Sequence, residues 1–466
     1  MATSSSGNQT RYFTDSTIRE VIYTYKLANK KVYMSSALQK KSLVVEKMKR
    51  IYVYIHGQTA SKLITHVPDI VIKQGLQKKI PYTRPMFGVL MFVDVSGFTA
   101  LCEKYGMEAK KGCGSDALTK TLNEYMGAIV ENILDSNGDV IKFAGDAILS
   151  FWETTTKTAL NGLVSALKCG MKIQKKCDNW DTEVGVKLRV KIGVAVGPLY
   201  ATFIGNKDSQ QFVMSGPCIN NVRDAENAAS AGLLVLSPKT WKVCPDKKRM
   251  TYALMRDSEH VKVLNITKDW GKEYDPSKSK VVSAVSYFTK KSNSNFNNAL
   301  PRKRQHIDTI VRKGMLEPYV AAPVINKIEE NQPLEYLCEL RQVSIVFINL
   351  TLTSVPKEVE CFILQDAFDA INETVVQFQG CLNKVFMFDK GCTFLVIFGL
   401  PGYKHENECA HALQCSHRIR ERIESIDKII RASIGVTTGN VFCGVVGHPD
   451  RHEYTGMSIL TQLIQY

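Results

Sequence analysis

Hydrophobic and polar positions recur in the same order in two stretches of the 466-residue chain. The first opens with an apolar run, Val89-Leu90-Met91-Phe92-Val93, that enters Asp94-Val95-Ser96-Gly97-Phe98; the second runs Val343-Ser344-Ile345-Val346-Phe347-Ile348 into Asn349-Leu350. Short apolar runs of this kind, bounded by turn residues, predict buried strands. Apolar residues then fall three or four apart, at Leu118, Leu122, Tyr125, Ile129 and Ile133 and again at Leu364, Phe368, Ile371, Val375 and Phe378, predicting one amphipathic helix in each stretch. A hairpin follows both helices. Val140 to Ala144 and Ala147 to Phe151 flank Gly145-Asp146, a dipeptide suited to a tight turn, and Lys384 to Phe388 and Thr393 to Phe398 flank Asp389-Lys390-Gly391-Cys392.

A further helix and strand follow in each stretch, and there the glycines match in spacing. Ile192-Gly193-Val194-Ala195-Val196-Gly197 precedes Gly205 by the same eight residues that separate Ile434-Gly435-Val436-Thr437-Thr438-Gly439 from Gly447. Strand, helix, hairpin, helix, strand, twice over, predicts an α+β chain with two copies of one antiparallel-rich domain and helices on one sheet face. Two such copies invite pseudo-two-fold pairing, with ligand sites between them built from unlike residues. The boundaries expected are a basic extension over 1–65, a first domain over 66–286, a basic linker over 287–335, a second domain over 336–455 and a divergent tail over 456–466.

Composition narrows the class. Hydrophobic residues at 44% and charged residues at 23% are ordinary for globular protein and exclude wholesale disorder. Sixty Lys and Arg against 45 Asp and Glu give a net charge of +15, which favours polyanionic partners without choosing among nucleic acid, acidic membrane and nucleotide phosphate. The thirteen cysteines, scattered without a C-x-x-C, read as free thiols of a reducing compartment. A polar start, Met1 to Asn8, and the lack of an apolar run near about 18 residues predict neither signal peptide nor transmembrane segment, hence a cytoplasmic protein. Lys40, Lys41, Lys47, Lys49 and Arg50 among apolar neighbours fit either a helix peripheral to a membrane or cytoskeletal partner, or a solvated face packed on its own domain. Pro301-Arg302-Lys303-Arg304 fits an import signal or simply a solvated linker.

Candidate chemistry starts from two carboxylates. Asp94 ends a strand and Asp146 sits in a hairpin turn 52 residues on, and in this arrangement both can lie on adjacent strands. Two converging carboxylates are what a pair of Mg²⁺ ions needs for in-line attack at a nucleotide phosphate, although either Asp alone is as readily a turn residue. The loop Ser96-Gly97-Phe98-Thr99 opens toward a helix and could hold phosphate through its backbone N–H groups. The second copy has Asn349 for Asp94 and Lys390 for Asp146, so metal belongs to the first copy alone. A nucleic-acid-binding role would explain the charge but neither the carboxylates nor the repeat.

Phe92-Val93-Asp94-Val95-Ser96-Gly97-Phe98-Thr99, Lys142-Phe143-Ala144-Gly145-Asp146-Ala147 and Arg451-His452-Glu453-Tyr454-Thr455 resemble the class III nucleotidyl cyclases, and within them the bicarbonate-stimulated soluble adenylyl cyclases of animals. The resemblance runs from about His66 to Thr455. It implies two ferredoxin-like cyclase domains in pseudo-two-fold contact and the conversion of ATP to 3′,5′-cyclic AMP and pyrophosphate. By the same resemblance, Asp94 and Asp146 are catalytic and hold two Mg²⁺ ions, for which Mn²⁺ can substitute, with help from the Val95 carbonyl. Ser96, Gly97, Phe98, Thr99 and Lys191 bind the phosphates of ATP. Lys384 and Thr455 read adenine, where guanylyl cyclases carry Glu and Cys. Lys142 and Arg223, with Met214 and Met387, are implied to bind bicarbonate.

The pattern departs from the family after Thr455. The family continues into Val-Asn-x-Ala-x-Arg, whose Asn and Arg would fall at Gln462 and Tyr466, and the second domain is expected to be incomplete. The matching first-copy positions, Asn220 and Asp224, offer no replacement for the Arg. Loss of a preorganised transition-state cation costs about two or more orders of magnitude in rate, so the activity expected is weak. The alternative is an inactive pseudo-cyclase that binds nucleotide or bicarbonate or pairs with another cyclase chain. Cys409 to His417 carries zinc-like residue types, but on a helix only His411 and Cys415 share a face well. The glycines from Gly435 to Gly447 lack the strand-to-helix setting of a dinucleotide loop and read as turn and packing glycines.

Overall fold

A computed structural model describes residues 61–73, 79–109, 114–244, 247–257, 259–267, 270, 314–388 and 391–457. The first copy comprises α1 (Asp69–Ile72), β1 (Tyr82–Ser96), α2 (Phe98–Ala109), α3 (Gly114–Asp135), β2 (Asp139–Ala144), β3 (Ala147–Glu153), α4 (Ala159–Cys177), β4 (Trp180–Asp181), β5 (Lys187–Gly205), β6 (Gln210–Ser215), α5 (Pro217–Ala228), β7 (Leu234–Leu236), α6 (Pro238–Val243), β8 (Met250–Leu254) and β9 (Val261–Ile266). Then come α7 (Ala322–Glu329), β10 (Glu339–Leu352), α8 (Lys357–Gln377), β11 (Cys381–Phe388), β12 (Gly391–Phe398), α9 (Glu408–Glu424), β13 (Ile429–His448) and β14 (Arg451–Met457). The basic extension before residue 61, Pro301 to Arg304, Asp389, Lys390, Gln462 and Tyr466 lie outside the described residues.

The first sheet runs β2-β3-β1-β5-β7-β9-β8, and the second runs β11-β12-β10-β13-β14. The repeat is therefore built as two α+β sheets, with β2-β3-β1-β5 answered by β11-β12-β10-β13. Each long strand, β5 or β13, ends in a hairpin with β6 or β14, and the turn glycines Gly205 and Gly447 share the same left-handed region at φ +139° and +137°. Pleating sends alternate side chains of β1 to opposite faces. Met91, Val93 and Val95 pack on α3 and α4, while Leu90 enters a core shared with the second copy. In β10, Val346, Ile348 and Leu350 pack on α8 and α9, and Ile345 joins the shared core.

That shared core is closed by chain from outside both sheets. Leu63, Val67, Ile70 and Val71 before β1, and Leu316, Val324, Ile328 and Leu337 before β10, are all buried in it. Asp139 accepts from the backbone N–H groups of Asp69 and Ile70 at 2.9 Å, capping α1 on the first sheet.

The copies contact each other reciprocally. Asn123 of α3 accepts from the Gly447 N–H at 3.2 Å, and Gln365 of α8 accepts from the Gly205 N–H at 2.8 Å while donating to the Gly205 carbonyl at 3.1 Å. One element departs from expectation. The first copy carries two helices between strand and hairpin, because Phe98, Leu101, Cys102 and Tyr105 form an apolar stripe of their own ahead of α3. The second copy goes from β10 into α8 without such a helix.

Candidate active site

Asp94 leaves β1 and Asp146 sits in the β2–β3 turn. Val93 pairs with Ile148, so the register sets Asp94 beside Ala147 and brings both carboxylates, each half-buried, to one end of the sheet. Gly97 turns the chain from β1 into α2 at φ +96°, and a Cβ there would come 2.7 Å from the Lys187 carbonyl oxygen. Ser96 ends β1, Thr99 is half-buried, and the Phe98 ring is in the core, which leaves Phe98 only its main chain to offer a phosphate. Burial first, and the Asp146 charge second, push the Cys102 thiol up to about 12, so no thiolate competes there. What remains is a set of hard oxygen donors, Asp94, Asp146 and main-chain carbonyls such as that of Val95, which suits Mg²⁺ or Mn²⁺.

Lys191 faces Asp94 across the β1–β5 ladder, with Nζ 3.3 Å from Asp94 Oδ2 and 2.5 Å from Glu226 Oε1. Burial would lower the Lys191 pKa, but Glu226 and Asp94 outweigh it and hold the ammonium above its usual range. Burial raises that of Glu226.

The second copy supplies a buried polar cluster. Lys384 Nζ donates to Thr455 Oγ1 at 3.1 Å and to the Phe143 carbonyl at 2.6 Å, and it pairs with Glu453 Oε1 at 3.0 Å. Phe143 lies three residues before Asp146, so Lys384 reaches the hairpin that carries one of the two carboxylates. Arg451, 1% exposed, donates to the carbonyls of Val140, His66 and His452 and to Glu453 Oε2 at 3.2 Å. Burial lowers the Lys384 pKa; burial would raise that of Glu453, but Lys384 and Arg451 hold it below the usual range.

The twin of this cluster lies in the first copy. In both hairpins one extra residue bulges, Ile141 in β2 and Asn383 in β11, and the next residue is a lysine, Lys142 opposite Leu149 and Lys384 opposite Leu395. Lys142 Nζ donates to the Phe212 carbonyl at 2.8 Å and to the Val385 carbonyl, and it stands 4.7 Å over the Phe212 ring. Both lysines line one cavity of about 50 Å³, walled also by residues 66–68 and 319–321.

The other residues implied for bicarbonate are not gathered at Lys142: none of them lines the cavity that holds it. Met214 is buried in the shared core, Met387 packs on the helix side of the second sheet, and Arg223 lies on α5 where its charge acts on Glu226. The second hairpin also runs two residue pairs further than the first, Phe388 pairing with Gly391 where Ala144 pairs with Ala147. Counted back along β12, Cys392 stands at the register position of Asp146 and Asn349 at that of Asp94, and Asn349 donates to Thr393 Oγ1 at 2.9 Å.

Sequence reasoning missed Glu226 and gave Arg451 and Glu453 no role beyond their place in a motif. Glu226 was visible as an acid one helical turn from Val222 on the apolar face of α5, and Arg451 and Glu453 as charges two apart on a strand edge beside Thr455. Of the zinc-like pair on α9, Cys415 is buried in the core and His411 stacks on His405 at 4.0 Å. Among the described residues no helix is long and apolar enough to cross a membrane.

Residues 88–273 match the adenylate and guanylate cyclase catalytic domain. Adenylate cyclase type 10 of Homo sapiens is 35% identical over 395 residues, covering 84% of this chain and 24% of the human protein, and that of Oryctolagus cuniculus is 36% identical over the same shares. The chain thus spans about a quarter of the length of these curated relatives. A class III adenylyl cyclase-like ATP-binding protein from Pseudomonas aeruginosa is similar at 10% identity and a TM-score of 0.48, over 87% of this chain and 88% of that one. Asp94, Asp146, Lys142 and Lys191 all lie within the matched span, and the chain carries there a catalytic domain of the class III adenylate and guanylate cyclase family.

Proposed function

We propose that this chain is an adenylate cyclase that converts ATP to 3′,5′-cyclic AMP and pyrophosphate in a site shared by its two copies. The observation that carries the reading is the 2.6 Å hydrogen bond from Lys384 to the Phe143 carbonyl, which joins the base-reading residues of one copy to the carboxylate hairpin of the other. Asp94 and Asp146, with the Val95 carbonyl, would hold divalent metal, which when bound activates the ribose 3′-hydroxyl and screens the triphosphate. Ser96 to Thr99 would cradle phosphate oxygens at the start of α2, and Lys191 would neutralise phosphate charge. Lys384 donates to an adenine ring nitrogen and Thr455 engages the exocyclic amine. Lys384 now has three acceptors in Phe143, Thr455 and Glu453, so nucleotide must displace one of them.

In the twin position Lys142 would take bicarbonate, with Arg223, Met214 and Met387 the further residues that the resemblance implies. Gln462 and Tyr466, where the family has Asn and Arg, favour slow turnover, and they support a second reading as a nucleotide-binding partner of another cyclase chain. Incubation of the full chain with ATP and Mn²⁺ decides between them. Cyclic AMP that disappears in Asp94→Ala supports the enzyme. ATP binding without product supports the pseudo-cyclase.

A further inference from the structure

The cation beside the proposed metal carboxylate is itself held from behind. Lys191 lies between Asp94 and Glu226, 3.3 Å from one carboxylate and 2.5 Å from the other. Gly193, two residues on and on the same face of β5, admits α5 to this contact: a Cβ there would meet the Val222 carbonyl oxygen at 2.6 Å and Glu226 Cβ at 2.8 Å. The Glu226 side chain is only 8% exposed, and a carboxylate so buried needs a partner, which Lys191 provides. In the second copy the same paired register positions are Asn349 and Ser433. Where the carboxylate is gone the ammonium is gone with it, which ties Lys191 to the chemistry of Asp94 rather than to holding the sheet.

We propose that Glu226 is a positioning residue that gives Lys191 a second resting place, so that a divalent cation taken up at Asp94 shifts the ammonium toward Glu226 instead of competing with it. The inference rests on the metal role proposed for Asp94. An ammonium at contact distance repels an incoming divalent ion, and the charge of Glu226 offsets that repulsion.

Titration of the full chain with Mn²⁺ in the absence of nucleotide, with free Mn²⁺ read by electron paramagnetic resonance, tests it. Lys191→Met is expected to bind Mn²⁺ about tenfold more tightly and Glu226→Gln about tenfold more weakly, with affinity restored in Glu226→Asp. In the Lys191→Met background, Glu226→Gln should have no further effect. Should Glu226→Gln fail to fold, Lys191→Met alone decides, and unchanged or weaker binding in that variant overturns the proposal. Asp94→Asn separates the two layers. Wild-type affinity in Asp94→Asn removes the metal assignment itself, whereas binding lost in Asp94→Asn but unchanged in Lys191→Met and Glu226→Gln overturns only the role of Glu226.

Discussion

Lys142 and Lys384 hold equivalent positions in the two copies, each just past a β-bulge, and each donates to the carbonyl of the residue that follows the other, Val385 and Phe143. The pseudo-two-fold axis therefore passes between the two ammonium groups. Their surroundings then diverge. Lys384 has Thr455 and Glu453, whereas Lys142 has the Phe212 carbonyl and ring. One position has become a base reader and the other an anion trap in the reading proposed here.

Lys384→Met should leave the half-buried Glu453 with Arg451 as its remaining ion-pair partner. Breaking such a pair costs about 3 kcal/mol, and Lys142→Met, whose hydrogen-bond partners are neutral carbonyls, about 1 kcal/mol. Urea unfolding of the two variants checks the order. Equal losses would mean that Glu453 contributes nothing to holding Lys384.

The bicarbonate binding proposed for Lys142 should weaken above about pH 8. Burial is the main cause that brings the Lys142 pKa down to about 8, with Lys384 adding to it and Glu453 opposing. An anion needs the protonated form, so affinity by calorimetry is expected to be flat below pH 7.5 and to fall by roughly tenfold per unit above 8. The same affinity at pH 7 and pH 9 would show that Lys142 is not the cation the anion meets.

Stability should also depend on pH through His66. Its Nε2 lies 3.1 Å from His452 Nε2, and burial first, then His452 and Arg451, hold its pKa well below the ordinary value. A base depressed in the folded state is most stabilising when neutral in both states. Its contribution is complete above about pH 6.5, the unfolded value, and is lost as pH falls from there toward the folded value. Thermal melts from pH 7.5 to 5.5 should show a falling midpoint, with the slope reduced in His66→Gln; an unchanged slope contradicts the assignment.

The turns that join the copies should be sensitive to a single methyl. Gly447 is at φ +137° and a Cβ there would come 2.6 Å from the Arg451 carbonyl oxygen, so Gly447→Ala is expected to cost about 2 kcal/mol or more. Asn123→Ala, which removes one hydrogen bond to the same turn, should cost about 1 kcal/mol. Denaturant midpoints of both variants check the ranking.

The repeat and its helical faces were legible because the apolar periods at Leu118 to Ile133 and Leu364 to Val375 are the buried faces of α3 and α8. Asp94 and Asp146 were legible because a strand and a hairpin turn put them on adjacent strands. Glu226 was not, because its contact with Lys191 depends on α5 folding back over Gly193, a long-range event with no local signal beyond one acid on an apolar face. The bulges at Ile141 and Asn383, which align the twin lysines, are set by pairing register and leave no local signal in the sequence. Leu63 and Leu316 lie in stretches whose charge suggested solvated chain, yet they close the core between the sheets.

Whether the two copies form one cyclase site is decided by cyclic AMP formation by the purified full chain with ATP and Mn²⁺. Slow, metal-dependent product is expected, lost in Asp94→Asn and in Lys384→Glu. Product that survives Asp94→Asn, or its complete absence from a folded chain that still binds ATP, would contradict that reading.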